Sequence, residues 1–121
     1  MLSKQNKKQI DKWLNEARTR LLLNNWEIIV NYKPESKAAV MEVVPDLEYL
    51  RAVVTVYENN AAQEWKIYGD EMIRSVCYHE MAHVLTAGLY YAGKSRYTTS
   101  KELNYAWENL AEMLARILCQ K

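Results

Sequence analysis

Apolar residues recur at three- and four-residue spacing through the first segment, roughly Ser3 to Leu23. Ile10, Trp13, Leu14, Ala17, Leu21 and Leu22 form one stripe, and Lys7, Lys8, Lys12, Glu16, Arg18 and Arg20 take other positions. That period predicts an amphipathic helix, with Ser3 as its N-cap. Asn24-Asn25 then signals a turn. Trp26–Tyr32 is rich in β-branched and aromatic residues and reads as a strand. Lys33-Pro34-Glu35-Ser36 is a turn, Ala38–Val44 a second strand closed by Pro45-Asp46, and Tyr49–Tyr57 a third. The short connections favour an antiparallel meander. Glu58 to Gly69 lacks a clear period and reads as irregular. Helical patterning returns after Gly69, with Asp70 able to cap and Gly88 or Gly93 able to end the helix. A last helix follows Ser100, its expected N-cap, with Leu103, Ala106, Trp107, Leu110, Leu114, Ile117 and Leu118 as core positions. One α+β domain covering 1–121 fits this length and pattern.

The helix after Gly69 holds both histidines of the chain, in His79-Glu80-Met81-Ala82-His83. Four residues is little more than one helical turn, so both imidazoles point the same way and can share one metal ion. Glu80 lies about 100° round the axis from His79 and about 60° from His83, beside the metal position without crowding the ligands. A carboxylate there can take a proton from water at the metal. Cys77 is about 200° from His79 on the same helix and reads as a core thiol, not a ligand.

A catalytic zinc takes three protein ligands and keeps one position open. With no third histidine in the chain, a carboxylate must complete the set. The last helix offers Glu102, Glu108 and Glu112. Glu108 and Glu112 are four residues apart and share a face, so Glu108 can ligate while Glu112 bonds the outer nitrogen of a ligating histidine. The plainer reading is two solvent-facing acids paired with Lys101 or Arg116. Ala111 and Ala115 lie near that face and leave room for close approach of the motif helix.

His79-Glu80-x-x-His83 followed by Glu108-Asn109-Leu110-Ala111-Glu112 resembles the gluzincins, the zincin metallopeptidases whose third ligand is a glutamate on a later helix. The resemblance covers the second half of the chain closely and the first half in outline. It is nearest to minimal single-domain zincins of bacteria, phages or prophages. It implies a zincin-like fold with an N-terminal helix, a small sheet of three or slightly more strands, an active-site helix and a C-terminal helix. It also implies one zinc ion per chain, held by His79, His83 and Glu108, with Glu80 as general base and Glu112 behind a histidine. Tyr49–Tyr57 resembles the edge strand that binds extended substrate along the cleft. Tyr90, Tyr91, Arg96, Tyr97 and Tyr105 are candidates to steady an oxyanion, and Tyr105, three residues before Glu108, could face the metal.

The expected activity is zinc-dependent hydrolysis of peptide bonds in a peptide or protein substrate. The alternative is a zinc-binding interaction module without turnover. A net charge of +1 argues against a broad nucleic-acid surface, so a protease of DNA-bound proteins ranks behind both. No apolar run is long enough for a membrane span. No secretory signal is visible, and two cysteines far apart fit a reduced, cytoplasmic chain. Oligomeric state is not readable from the sequence.

Overall fold

The computed structural model describes residues 1–34, 39–94 and 99–119. It is α+β, with four helices and a three-stranded mixed sheet among those residues. Helix α1 spans Lys4–Arg20, with Ser3 accepting a hydrogen bond from the Asn6 N–H as the pattern predicts. Ile10, Trp13, Leu14 and Ala17 are its buried stripe. Leu22 departs from the expected stripe: it sits at φ +59° and is 82 % exposed, because the chain turns out of the helix just before it.

The strands are β1 (Glu27–Lys33), β2 (Met41–Asp46) and β3 (Arg51–Tyr57). Their order is β1-β3-β2, not the expected meander. β2 and β3 form the predicted hairpin, joined through Leu50 at φ +50°. β1, however, pairs parallel to β3, with Val30 opposite Val54, and never touches β2 as a ladder partner. The short segment after β1 therefore carries the chain past one strand width, and β3 returns into the gap. The physical reason is burial. Ala52, Val54 and Val56 are fully buried, and a centre position lets both neighbours add apolar side chains beside them. Pro45, which can donate no ladder hydrogen bond, lies on the edge strand β2.

Glu58 to Gly69, expected to be irregular, contains helix α2 (Glu58–Tyr68). Its N-cap Tyr57 makes no side-chain cap bond, so the usual start signal is missing. Ala61 and Trp65, four residues apart, face the core, and Gly69 at φ +83° ends the helix. α3 (Asp70–Lys94) begins at Asp70 itself, whose carboxylate accepts the Trp65 indole N–H at 2.6 Å. It runs through both Gly88 and Gly93 without stopping. α4 (Ser100–Leu118) is capped by Thr99 rather than Ser100, through a 3.1 Å bond from the Glu102 N–H. Among its described side chains Ala111 and Ala115 are fully buried, and Ala106, expected in the core, is exposed.

α3 is the centre of the molecule. It packs on α1, α2, β2 and α4. Ile73, Cys77, Tyr78 and Met81 face the core built by α1 and the inner face of the sheet. The positions between them turn toward α4 and carry the motif.

Candidate metal centre

On α3, His79 and His83 project from one face, their rings 4.9 Å apart and nearly perpendicular. α4 crosses that face closely because Ala111 and Ala115 present no more than a methyl group. Glu108 and Glu112 flank Ala111 and reach across. Glu108 Oε1 lies 2.6 Å from His83 Nε2 and 3.0 Å from His79 Nε2. Glu112 Oε1 lies 2.7 Å from His79 Nδ1, while its other oxygen accepts from Arg116 at 3.0 Å. The plainer pairing of Glu112 with Arg116 is thus present alongside the histidine contact.

These distances bear on what the cluster can hold. A neutral His79 that donates Nδ1–H to Glu112 presents a bare lone pair at Nε2. Opposite it stands the Glu108 carboxylate, which only accepts. Burial holds the His83 pKa below its ordinary value, with Glu108 opposing that effect. A neutral His83 cannot use both nitrogens here, because its buried Nδ1 finds no partner. With both imidazoles neutral and His79 donating from Nδ1, only one proton, on His83 Nε2, can lie between His79 Nε2, His83 Nε2 and Glu108 Oε1, and a metal cation can take its place. One donor atom from each of His79, His83 and Glu108 lies within 4.8 Å of the others, and two imidazoles with a carboxylate are a donor set suited to zinc. The cluster can hold one metal ion.

Burial opposes ionisation of Glu108, but its bonds and charge interactions with both histidines outweigh this and bring its pKa below the ordinary value. Glu112 behaves the same way, with burial overcome by Arg116 and His79. Glu80 is different. It is buried, and desolvation, reinforced by the charges of Glu108 and Glu42, raises its pKa to about 8. A nearby cation pulls such a carboxyl back down, toward the range useful to a proton-transferring base.

Among the oxyanion candidates, Tyr105 is 78 % exposed and lines a groove of about 470 Å³ together with Glu108. Tyr90 instead stacks on Trp107 at 4.0 Å, a packing role. Arg96 and Tyr97 lie outside the described residues, as does the side chain of Tyr91. Glu102 is exposed and takes no part in the cluster. Cys77 is fully buried and burial pushes its thiol pKa up, as suits a core residue and not a ligand.

Two contributors escaped the sequence reading. Trp107 was expected only as core, yet its ring lies 4.2 Å from that of His83 while its indole N–H donates to Thr86 at 2.7 Å. Its place one helical turn before Ala111 was the available signal. Glu42 on β2 bonds the Tyr57 hydroxyl and acts on Glu80. No local pattern marks it, since only the strand order brings it there. The expected substrate strand also changes. β3 is paired on both sides, so residues 52–56 have no free edge, and β2, which packs against α3, is an edge strand among the described residues.

No protein-family model, curated protein or solved structure matches this chain. No helix among the described residues is long and apolar enough to cross a membrane.

Proposed function

We propose that this chain is a zinc-dependent metallopeptidase of gluzincin type with a zincin-like fold. The observation that carries the reading is the convergence of His79 Nε2, His83 Nε2 and Glu108 Oε1 beside a buried Glu80. Among the described residues the group is these three, a His-His-Glu set that would leave room for a water or substrate oxygen on a bound zinc. Catalytic zinc sites have that character and structural ones are closed, so the observation favours turnover over a purely structural pin.

When bound, zinc supplies Lewis acidity, which acidifies a water and polarises a carbonyl. The chain's own residues do the rest. Glu112 holds His79 with Nε2 free for the metal, and Arg116 holds Glu112. Trp107 covers the His83 ring and limits its motion. Glu80 accepts the proton of the attacking water and delivers it to the departing amine nitrogen. Tyr105 is the candidate donor to the developing oxyanion. The extended substrate lies along the free edge of β2, where main-chain hydrogen bonds add a strand.

The test measures bound zinc per chain and peptide hydrolysis for the parent, Glu108→Ala and Glu80→Gln. The reading requires about one zinc in the parent, little in Glu108→Ala, and full zinc without hydrolysis in Glu80→Gln. A parent that takes up no zinc, or a Glu80→Gln variant that still cleaves, refutes it.

A further inference from the structure

Glu108 has a second environment. Beside the metal cluster, α4 borders an open groove of about 470 Å³ lined by Lys101, Asn104, Tyr105, Glu108 and Asn109. These positions are spaced three and four apart and so form one continuous helix face. The groove shares Glu108 with the metal cluster and extends toward the N-terminal end of α4. Glu112 and Arg116, which serve His79, lie at the other end of the helix and line none of it.

The lining is rich in donors. Lys101 brings an ammonium group, Asn104 and Asn109 bring amide N–H groups, and Tyr105 brings a hydroxyl. Lys101, Tyr105 and Asn109 bond no other side chain among the described residues. Asn104 accepts from Tyr90 at 3.5 Å through its amide oxygen, and its amide N–H groups have no partner among the described residues. Among the described residues of the lining the one acid is Glu108, already engaged with both histidines.

We propose that this groove is a substrate subsite for an acidic side chain, with Lys101 as its counter-charge. The inference rests on the peptidase reading above and adds a substrate class to it. Spacing sets the position of the acid. Lys101 and Glu108 are two turns apart, about 10 Å along the axis. An extended peptide covers that span in about three residues. An Asp or Glu about three positions from the scissile bond therefore meets Lys101, and a basic residue there meets repulsion.

Binding to zinc-loaded full-length protein tests this without relying on turnover. Peptides carrying a zinc-chelating hydroxamate are made in pairs with Glu or Lys at the third position, amidated so that no terminal carboxylate contributes. One pair extends from each side of the hydroxamate, and acetohydroxamate reports on the metal alone. The expected result is that, in one pair, the Glu peptide binds about three- to fivefold more tightly, as an exposed charge pair supports. Lys101→Glu should reverse that order and leave acetohydroxamate affinity unchanged. Equal affinities in both pairs, or an unchanged order in Lys101→Glu, overturns the subsite while acetohydroxamate binding keeps the metal reading. Absence of binding by acetohydroxamate and by every peptide overturns both.

Discussion

The two sides of α3 are built on different principles. Toward α1 and the sheet, Ile73, Cys77, Tyr78 and Met81 are fully buried among Ile10, Trp13, Leu14, Val54 and Val56. Toward α4, the contact around the motif combines two alanines, the Trp107 ring and a set of histidine and carboxylate groups. The first side is stable through removal of apolar surface from water, and it is indifferent to ligands. The second brings the Nε2 atoms of His79 and His83 against one Glu108 oxygen, and it leaves His83 Nδ1 buried without a partner among the described residues, so this side gives up stability that a cation between the Nε2 atoms and Glu108 can return. The fold thus separates the part that makes the protein fold from the part that waits for a ligand.

The largest effect expected falls on the first side. Ile73→Ala removes a fully buried side chain and should cost about 2–5 kcal/mol in denaturant unfolding. Zinc bound per folded chain should stay the same, since Ile73 faces away from the cluster. If the variant loses zinc while still folded, the two sides are not independent.

Next comes the ligand itself. Zinc at a hundredfold excess over its dissociation constant adds about 2.7 kcal/mol to the folded state. The comparison specifies where that gain appears. Amide exchange should slow most in α4, whose attachment runs through Glu108 and Glu112, and least in α1. Uniform slowing over the whole chain would mean that α4 is already held as firmly as the core.

Ala111→Leu probes the seam from the steric side. It inserts bulk where α3 and α4 meet most closely and should cost about 1–3 kcal/mol. It should also weaken zinc uptake by moving Glu108 away from the histidines. Unaltered uptake would show that Glu108 finds its place without close helix approach.

The same division decides how much was legible in the sequence. The apolar stripe of α1 and the i, i+4 histidines both follow from helical period alone, and both stand where the period puts them except Leu22, which lies beyond the helix end. Glu108 and Glu112 were readable for the same reason, since two acids one turn apart beside small residues imply a face. The strand order was not readable. Pairing β1 with β3 depends on burying Val54 from both sides, which is a property of three strands together and leaves no mark on any one of them. α2 was hidden because its core contacts are two small alanines, Ala61 and Ala62, and Trp65, and its start lacks a side-chain cap. The place of Glu42 was lost with the strand order.

One side chain spans the division. Arg74 on α3 donates to Glu16 of α1 at 2.9 and 3.2 Å and to the Cys119 carbonyl at the end of α4 at 2.9 Å. The Arg74 hydrogen bond, against some desolvation, holds the Glu16 carboxyl below its ordinary 4.5. A depressed carboxylate contributes stability that is complete above its unfolded value and is lost as pH falls through the folded one. Glu16→Gln should therefore lower stability at neutral pH, and the gap from the parent should close as pH falls below about 4.5. The size is small, under about 1 kcal/mol, because the Glu16 side chain is 37 % exposed and water screens the pair. A gap that stays constant down to low pH would assign the loss to packing instead of charge. A gap that closes as expected makes Arg74 an ionic tie between the two sides, and its loss should speed amide exchange at both the end of α1 and the end of α4.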